Sequence, residues 1–86
     1  MAQVARQNDT HSHGGYIVTG SSDTFANGSP VARQGDMAMC NQHGMVQIVT
    51  ASSTTFANGY PVARVGDMLS CGAQIITGSP DTYAGD

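Results

Sequence analysis

The 86 residues make one small domain, residues 1–86, and a chain of that length buries only a modest core. It has no Trp, 2 Phe and 3 Tyr against 11 Gly, no Lys or Glu, and a formal net charge of −3. The only cations besides histidine are Arg6, Arg33 and Arg64, so there is no basic patch to displace counterions from phosphates, and nucleic acid is excluded as a partner.

In chain order, Val4-Ala5-Arg6 is followed by Asp9 and then His13. Ile17-Val18-Thr19-Gly20-Ser21 and Thr24-Phe25-Ala26-Asn27-Gly28 come next. The series restarts at Pro30-Val31-Ala32-Arg33, with Asp36 and Cys40, and continues through Ile48-Val49-Thr50-Ala51-Ser52 and Thr55-Phe56-Ala57-Asn58-Gly59. It restarts again at Pro61-Val62-Ala63-Arg64, with Asp67 and Cys71, and ends in Ile75-Ile76-Thr77-Gly78-Ser79 and Thr82-Tyr83-Ala84-Gly85. These are three imperfect repeats. The middle one is four residues longer, around Asn41-Gln42-His43-Gly44.

The local chemistry is β. Short runs rich in Val, Ile, Thr, Phe and Tyr are bounded by Gly, Ser and Asn. Asn27-Gly28 and Asn58-Gly59 suit type I′ hairpin turns, where both central residues take positive φ. Pro30 and Pro61 sit near strand starts, where a missing N–H is tolerated. No stretch keeps helical periodicity for ten residues. The fold class is therefore all-β. The chain starts with one half of a repeat and stops after the other half, so pairing of the termini closes three units into a ring around a pseudo-three-fold axis. Closure also removes strand edges. Phe25, Phe56 and Tyr83 are expected to pack in the core.

Equivalent positions in three units lie equally far from such an axis, so His13, Cys40 and Cys71 can converge on it. His43, in the insertion, supplies a fourth donor that breaks the symmetry. Two thiolates and two imidazoles are a closed Cys₂His₂ set, the usual structural zinc arrangement. Zn²⁺ is the expected cofactor, with Fe as the alternative. His11 rivals His13, since two residues apart in an extended segment point to the same side. The register with Cys40 and Cys71 favours His13. Met37, Met39, Met45 and Met68 read as flexible gap fillers rather than copper ligands. Asp9, Asp36 and Asp67 read as turn residues accepting backbone N–H bonds, with the preceding arginines able to pair with them or with a partner.

Pro-Val-Ala-Arg at 30–33 and 61–64, Gly-Asp at 35–36 and 66–67, His13-Gly14-Gly15, Cys40-x-x-His43-Gly44 and Cys71-Gly72 resemble the PAAR-repeat family, named for Pro-Ala-Ala-Arg. The resemblance covers essentially the whole chain. It implies a small conical β structure with a metal, usually zinc, near its apex. It also implies a seat on the blunt end of a trimeric β-helical spike, in a type VI secretion system or a contractile phage-like tail. The function implied is a structural spike tip that caps and sharpens that spike for membrane puncture. Asn8 stands where the motif has Gly, Gln3 where it has Pro, and Ala51 where the turn has Gly, so the second unit's turn is open to differ.

The partner expected is one spike trimer per tip, with the protein a monomer by itself and its contact with the target membrane transient. Arg6, Arg33 and Arg64 form a three-fold set and are candidates for the spike interface. The N-terminus lacks the basic-then-apolar pattern of a signal peptide. No apolar run approaches the roughly 20 residues of a membrane helix. Synthesis in the cytoplasm is expected, then delivery outward or to the target cell on the spike. The chain reads as a bare tip without an effector extension. An adaptor linking effector cargo to the spike is the alternative. A small metallohydrolase is disfavoured, because there is no Glu for general-base work and no vacant coordination position, so an enzyme is not expected.

Overall fold

The computed structural model describes residues 2–80 and 82–84. Among them are seven short strands and no helix: β1 (Tyr16–Ile17), β2 (Phe25–Ala26), β3 (Ser29–Pro30), β4 (Met37–Cys40), β5 (Gly44–Gln47), β6 (Phe56–Ala57) and β7 (Tyr60–Pro61). β1, β4 and β5 form an antiparallel sheet in that order, and β2–β3 and β6–β7 are two-stranded hairpins. The hairpins turn at Asn27-Gly28 (φ 52° and 80°) and Asn58-Gly59 (φ 53° and 79°), the doubly positive pair that follows strand twist.

The two ends of the chain reproduce the hairpin contact. Val31 N donates to Thr24 O and Val62 N to Thr55 O, each at 2.9 Å, and Val4 N donates to Thr82 O at the same distance. Gln3 bridges Tyr83 as Pro30 pairs with Phe25 and Pro61 with Phe56. One of the three hairpin contacts is thus made by the first and last segments together.

Two cyclic sets of backbone bonds join the units. Ala5 N donates to Ala63 O, Ala63 N to Ala32 O and Ala32 N to Ala5 O, all at 2.9 Å. Farther along each unit, Val18 N donates to Met37 O (2.8 Å), Val49 N to Met68 O (2.9 Å) and Ile76 N to Thr10 O (2.9 Å). In this second set each unit donates to the next and the third to the first, while the alanine set runs the opposite way round. The molecule is accordingly a closed pseudo-three-fold ring. Its extents, 30 × 23 × 22 Å, have two nearly equal short axes, as an approximate three-fold requires.

The core is stacked from triplets. Ile17, Ile48 and Ile75 and the three ring alanines are buried in one cluster that reaches Cys40 and Cys71. Val4, Val31 and Val62 pack with Ala26, Ala57 and Ala84 in a second. Small residues dominate because three backbones meet around one axis, leaving little room per side chain. The expectation that Phe25, Phe56 and Tyr83 are core is corrected here: they are 56%, 56% and 49% exposed. Strand alternation admits only one of each Phe-Ala or Tyr-Ala pair, and near the axis the alanine fits.

A polar triplet fixes each unit's turn. Asp36 Oδ2 accepts from the Arg33 amide at 2.7 Å and from Arg33 Nε at 3.0 Å, while Oδ1 accepts from Nη2 at 3.1 Å. Arg6–Asp9 and Arg64–Asp67 repeat this fork. Thr19, Thr50 and Thr77 donate hydroxyl bonds to Asp36, Asp67 and Asp9 at 2.8–3.0 Å. The left-handed turn position is Asn8 (φ 76°), Gly35 (90°) or Gly66 (96°), so asparagine does stand in for glycine there. Ala51 does not alter the second unit. Its carbonyl accepts from Arg64 Nη2, as those of Gly20 and Gly78 do from Arg33 and Arg6.

Candidate metal centre

Three turn tips and one strand end carry the donors. His13 precedes Gly14 (φ 83°), His43 precedes Gly44 (φ 77°) and Cys71 precedes Gly72 (φ 91°). Each turn is closed by a backbone bond: Gly14 N to His11 O (3.1 Å), His43 N to Cys40 O (3.3 Å) and Gly72 N to Leu69 O (2.9 Å). Positive φ is natural for glycine and lets the chain reverse immediately after the donor residue. Cys40 ends β4, opposite Gly44 in the ladder. Asn41 ties the insertion to the first unit by donating to Gly14 O.

The four side chains meet. One donor atom from each of His13, Cys40, His43 and Cys71 lies within 4.8 Å of the others. Cys40 Sγ is 3.6 Å from His13 Nδ1 and 3.4 Å from His43 Nδ1, and Cys71 Sγ is 3.5 Å from His13 Nδ1. The sulfurs are 3.7 Å apart as free thiols. A tetrahedral ion with metal–sulfur bonds of about 2.3 Å and metal–nitrogen bonds of about 2.0–2.1 Å has edges of roughly 3.8 Å between sulfurs and roughly 3.6 Å between sulfur and nitrogen. These four separations lie close to those edges, and all four donor atoms lie within 4.8 Å of one another, so this group can hold a metal ion.

Electrostatics prepare a thiolate. Burial pushes the Cys40 thiol up, but hydrogen bonds from the His43 side chain, the Gln42 backbone, His13 and the His43 backbone outweigh it and bring it from 9.0 down to about 6. The thiolate is the metal-binding form.

His11 is not part of the group. The chain turns at residues 12–14, so the extended alternation that made it a rival to His13 does not hold. Its ring is buried, 1% exposed. Nε2 lies 2.7 Å from Met39 O, and Nδ1 faces the His13 amide at 3.3 Å. Sequence reasoning missed this placement. The available signal was position: His11 aligns with Ala38 and Leu69, both core sites. Arg6, Arg33 and Arg64 are also outside the metal group, each engaged with its own aspartate.

A family model described as PAAR motif matches residues 7–77. The chain belongs to the PAAR-motif family. No curated protein matches it. The PAAR match takes in all four clustered donors and both complete Pro-Val-Ala-Arg segments. Membership supports, in general terms, a spike-tip role of the type VI or phage-like kind in a family that is structural rather than enzymatic.

Proposed function

We propose that this PAAR-motif protein is the metal-pinned tip of a trimeric β-helical spike, one copy per trimer, that sharpens the spike for membrane puncture. The observation that carries the reading is the cyclic bonding of Ala5, Ala32 and Ala63. A single chain folded into three near-equivalent units can meet three identical subunits with the same contacts on each. Strand addition at the junction would satisfy edge N–H and C=O groups on both sides.

The ion proposed is Zn²⁺, with Fe as the alternative, held by His13, Cys40, His43 and Cys71. Such an ion supplies rigidity where four segments converge and few side chains are available for packing. Four donors of this kind would complete a tetrahedron, which favours a structural over a catalytic role. We place synthesis and folding in the cytoplasm and delivery with the spike. Mixing the purified chain with a candidate spike trimer and measuring mass by light scattering tests the proposal. One chain per trimer is expected, and no association with such trimers would overturn it.

A further inference from the structure

His11, Ala38 and Leu69 occupy equivalent places, each paired with a second buried residue across its turn. His11 N donates to Gly15 O at 3.2 Å and Leu69 N to Ala73 O at 2.8 Å, while Ala38 pairs with Val46. Each couple sets a larger side chain against a smaller one: His with Gly, Val with Ala, Leu with Ala. Two of the three couples are wholly aliphatic and belong to the core cluster beneath the sulfurs. Packing alone would be met by a third aliphatic residue. A buried imidazole is instead costly unless both nitrogens have partners.

Both nitrogens do have partners, and those partners are the significant observation. Met39 O can only accept, so Nε2 carries the hydrogen; Nδ1 then accepts from the His13 amide. One neutral tautomer satisfies both bonds. Met39 adjoins Cys40, and the amide belongs to His13 itself. The ring therefore clamps the donor-bearing backbone of the first unit to that of the second. Gly15 makes room for it: a Cβ there would lie 1.7 Å from Met39 O and 2.6 Å from His11 Nε2.

We infer that His11 is a positioning residue of the metal centre, holding His13 and Cys40 in register through their backbones without touching the ion. This rests on the metal-binding reading above. Outer-shell groups of this kind typically alter metal affinity by about 10–100-fold when removed.

The test compares the full-length wild type with His11→Leu and His11→Gln. Zn²⁺ affinity is read by competition with a chromophoric chelator, and site geometry by the absorption bands of the Co²⁺ form. His11→Leu, which copies Leu69 in the third unit, should keep the thermal midpoint of the metal-free protein, lose about 10–100-fold in Zn²⁺ affinity and shift the Co²⁺ bands. His11→Gln, whose amide can donate to Met39 O, should recover most of the affinity. Wild-type affinity and bands in His11→Leu would overturn the inference, as would an equal loss in both variants. If His11→Leu does not fold, His11→Ala takes its place beside His11→Gln: a loss of about 10–100-fold in His11→Ala that His11→Gln largely recovers supports the clamp, and wild-type affinity in His11→Ala or an equal loss in both overturns it. A wild type without Zn²⁺ affinity would instead sink the metal reading itself.

Discussion

Ala5 donates its amide to the carbonyl of Ala63 at 2.9 Å, joining the first repeat directly to the last. Neither side chain has any exposed surface, so nothing larger than a methyl group fits between the three strips. Ala63→Leu should therefore overpack the axis and destabilise by about 1–3 kcal/mol. In a domain of this size that lowers the thermal midpoint by roughly 4–8 °C per kcal/mol. Calorimetry of Ala63→Leu beside Ala5→Leu and Ala32→Leu checks it, and similar losses at all three positions are expected from a pseudo-three-fold axis.

Removing the ion should be costlier. Structural zinc in small peptides binds with an apparent 10–16 kcal/mol, about the whole stability of many domains. Treatment with a strong chelator is expected to lower the thermal midpoint by tens of degrees, and Cys71→Ala should start from that lower midpoint and respond little to chelator. Elemental analysis before and after treatment reports whether metal left.

The Arg–Asp forks give a prediction that leaves the metal centre alone. Asp36→Asn keeps the shape but replaces a charged acceptor of the Arg33 fork and the Thr19 hydroxyl. Hydrogen bonds to charged groups contribute about 1.5–3 kcal/mol, and Arg33 is only 18% exposed at its side chain. A loss of that order in denaturant titrations, with metal content unchanged, is the expected result.

The pH dependence follows from Cys40. Its thiol is brought from an ordinary 9.0 to about 6 in the folded, metal-free protein. Because the folded value is the lower one, folding favours the thiolate. That contribution is complete above 9.0 and drains away as pH falls toward about 6. Metal-free wild type should lose stability relative to Cys40→Ala over that window, with ultraviolet thiolate absorbance disappearing near its lower end.

Much of this was legible because repetition is visible without coordinates. The Val-Ala-Arg strips, the Asn-Gly turns and the half-repeats at the ends specify which backbone segments meet, and donors at matching repeat positions specify where His13, Cys40 and Cys71 point. His43 followed from counting ligands. What was hidden was side-chain facing inside two-residue strands. Phe25 and Ala26 look like a core pair by composition, yet the narrow axis selects the alanine. His11 reads as the rival to His13 if the segment is extended. Only the turn after it shows that its ring enters the layer that Leu69 fills elsewhere.

Ring closure also runs against the direction of synthesis. A ribosome releases Val4 and Ala5 well before their backbone partners Ala63 and Thr82. Contacts between such distant segments form slowly, because the loop entropy must be overcome before any bond repays it. Val4 and Ala5 thus wait with those hydrogen bonds unfilled until Ala63 and Thr82 have emerged, so the ring closes late relative to its first strip.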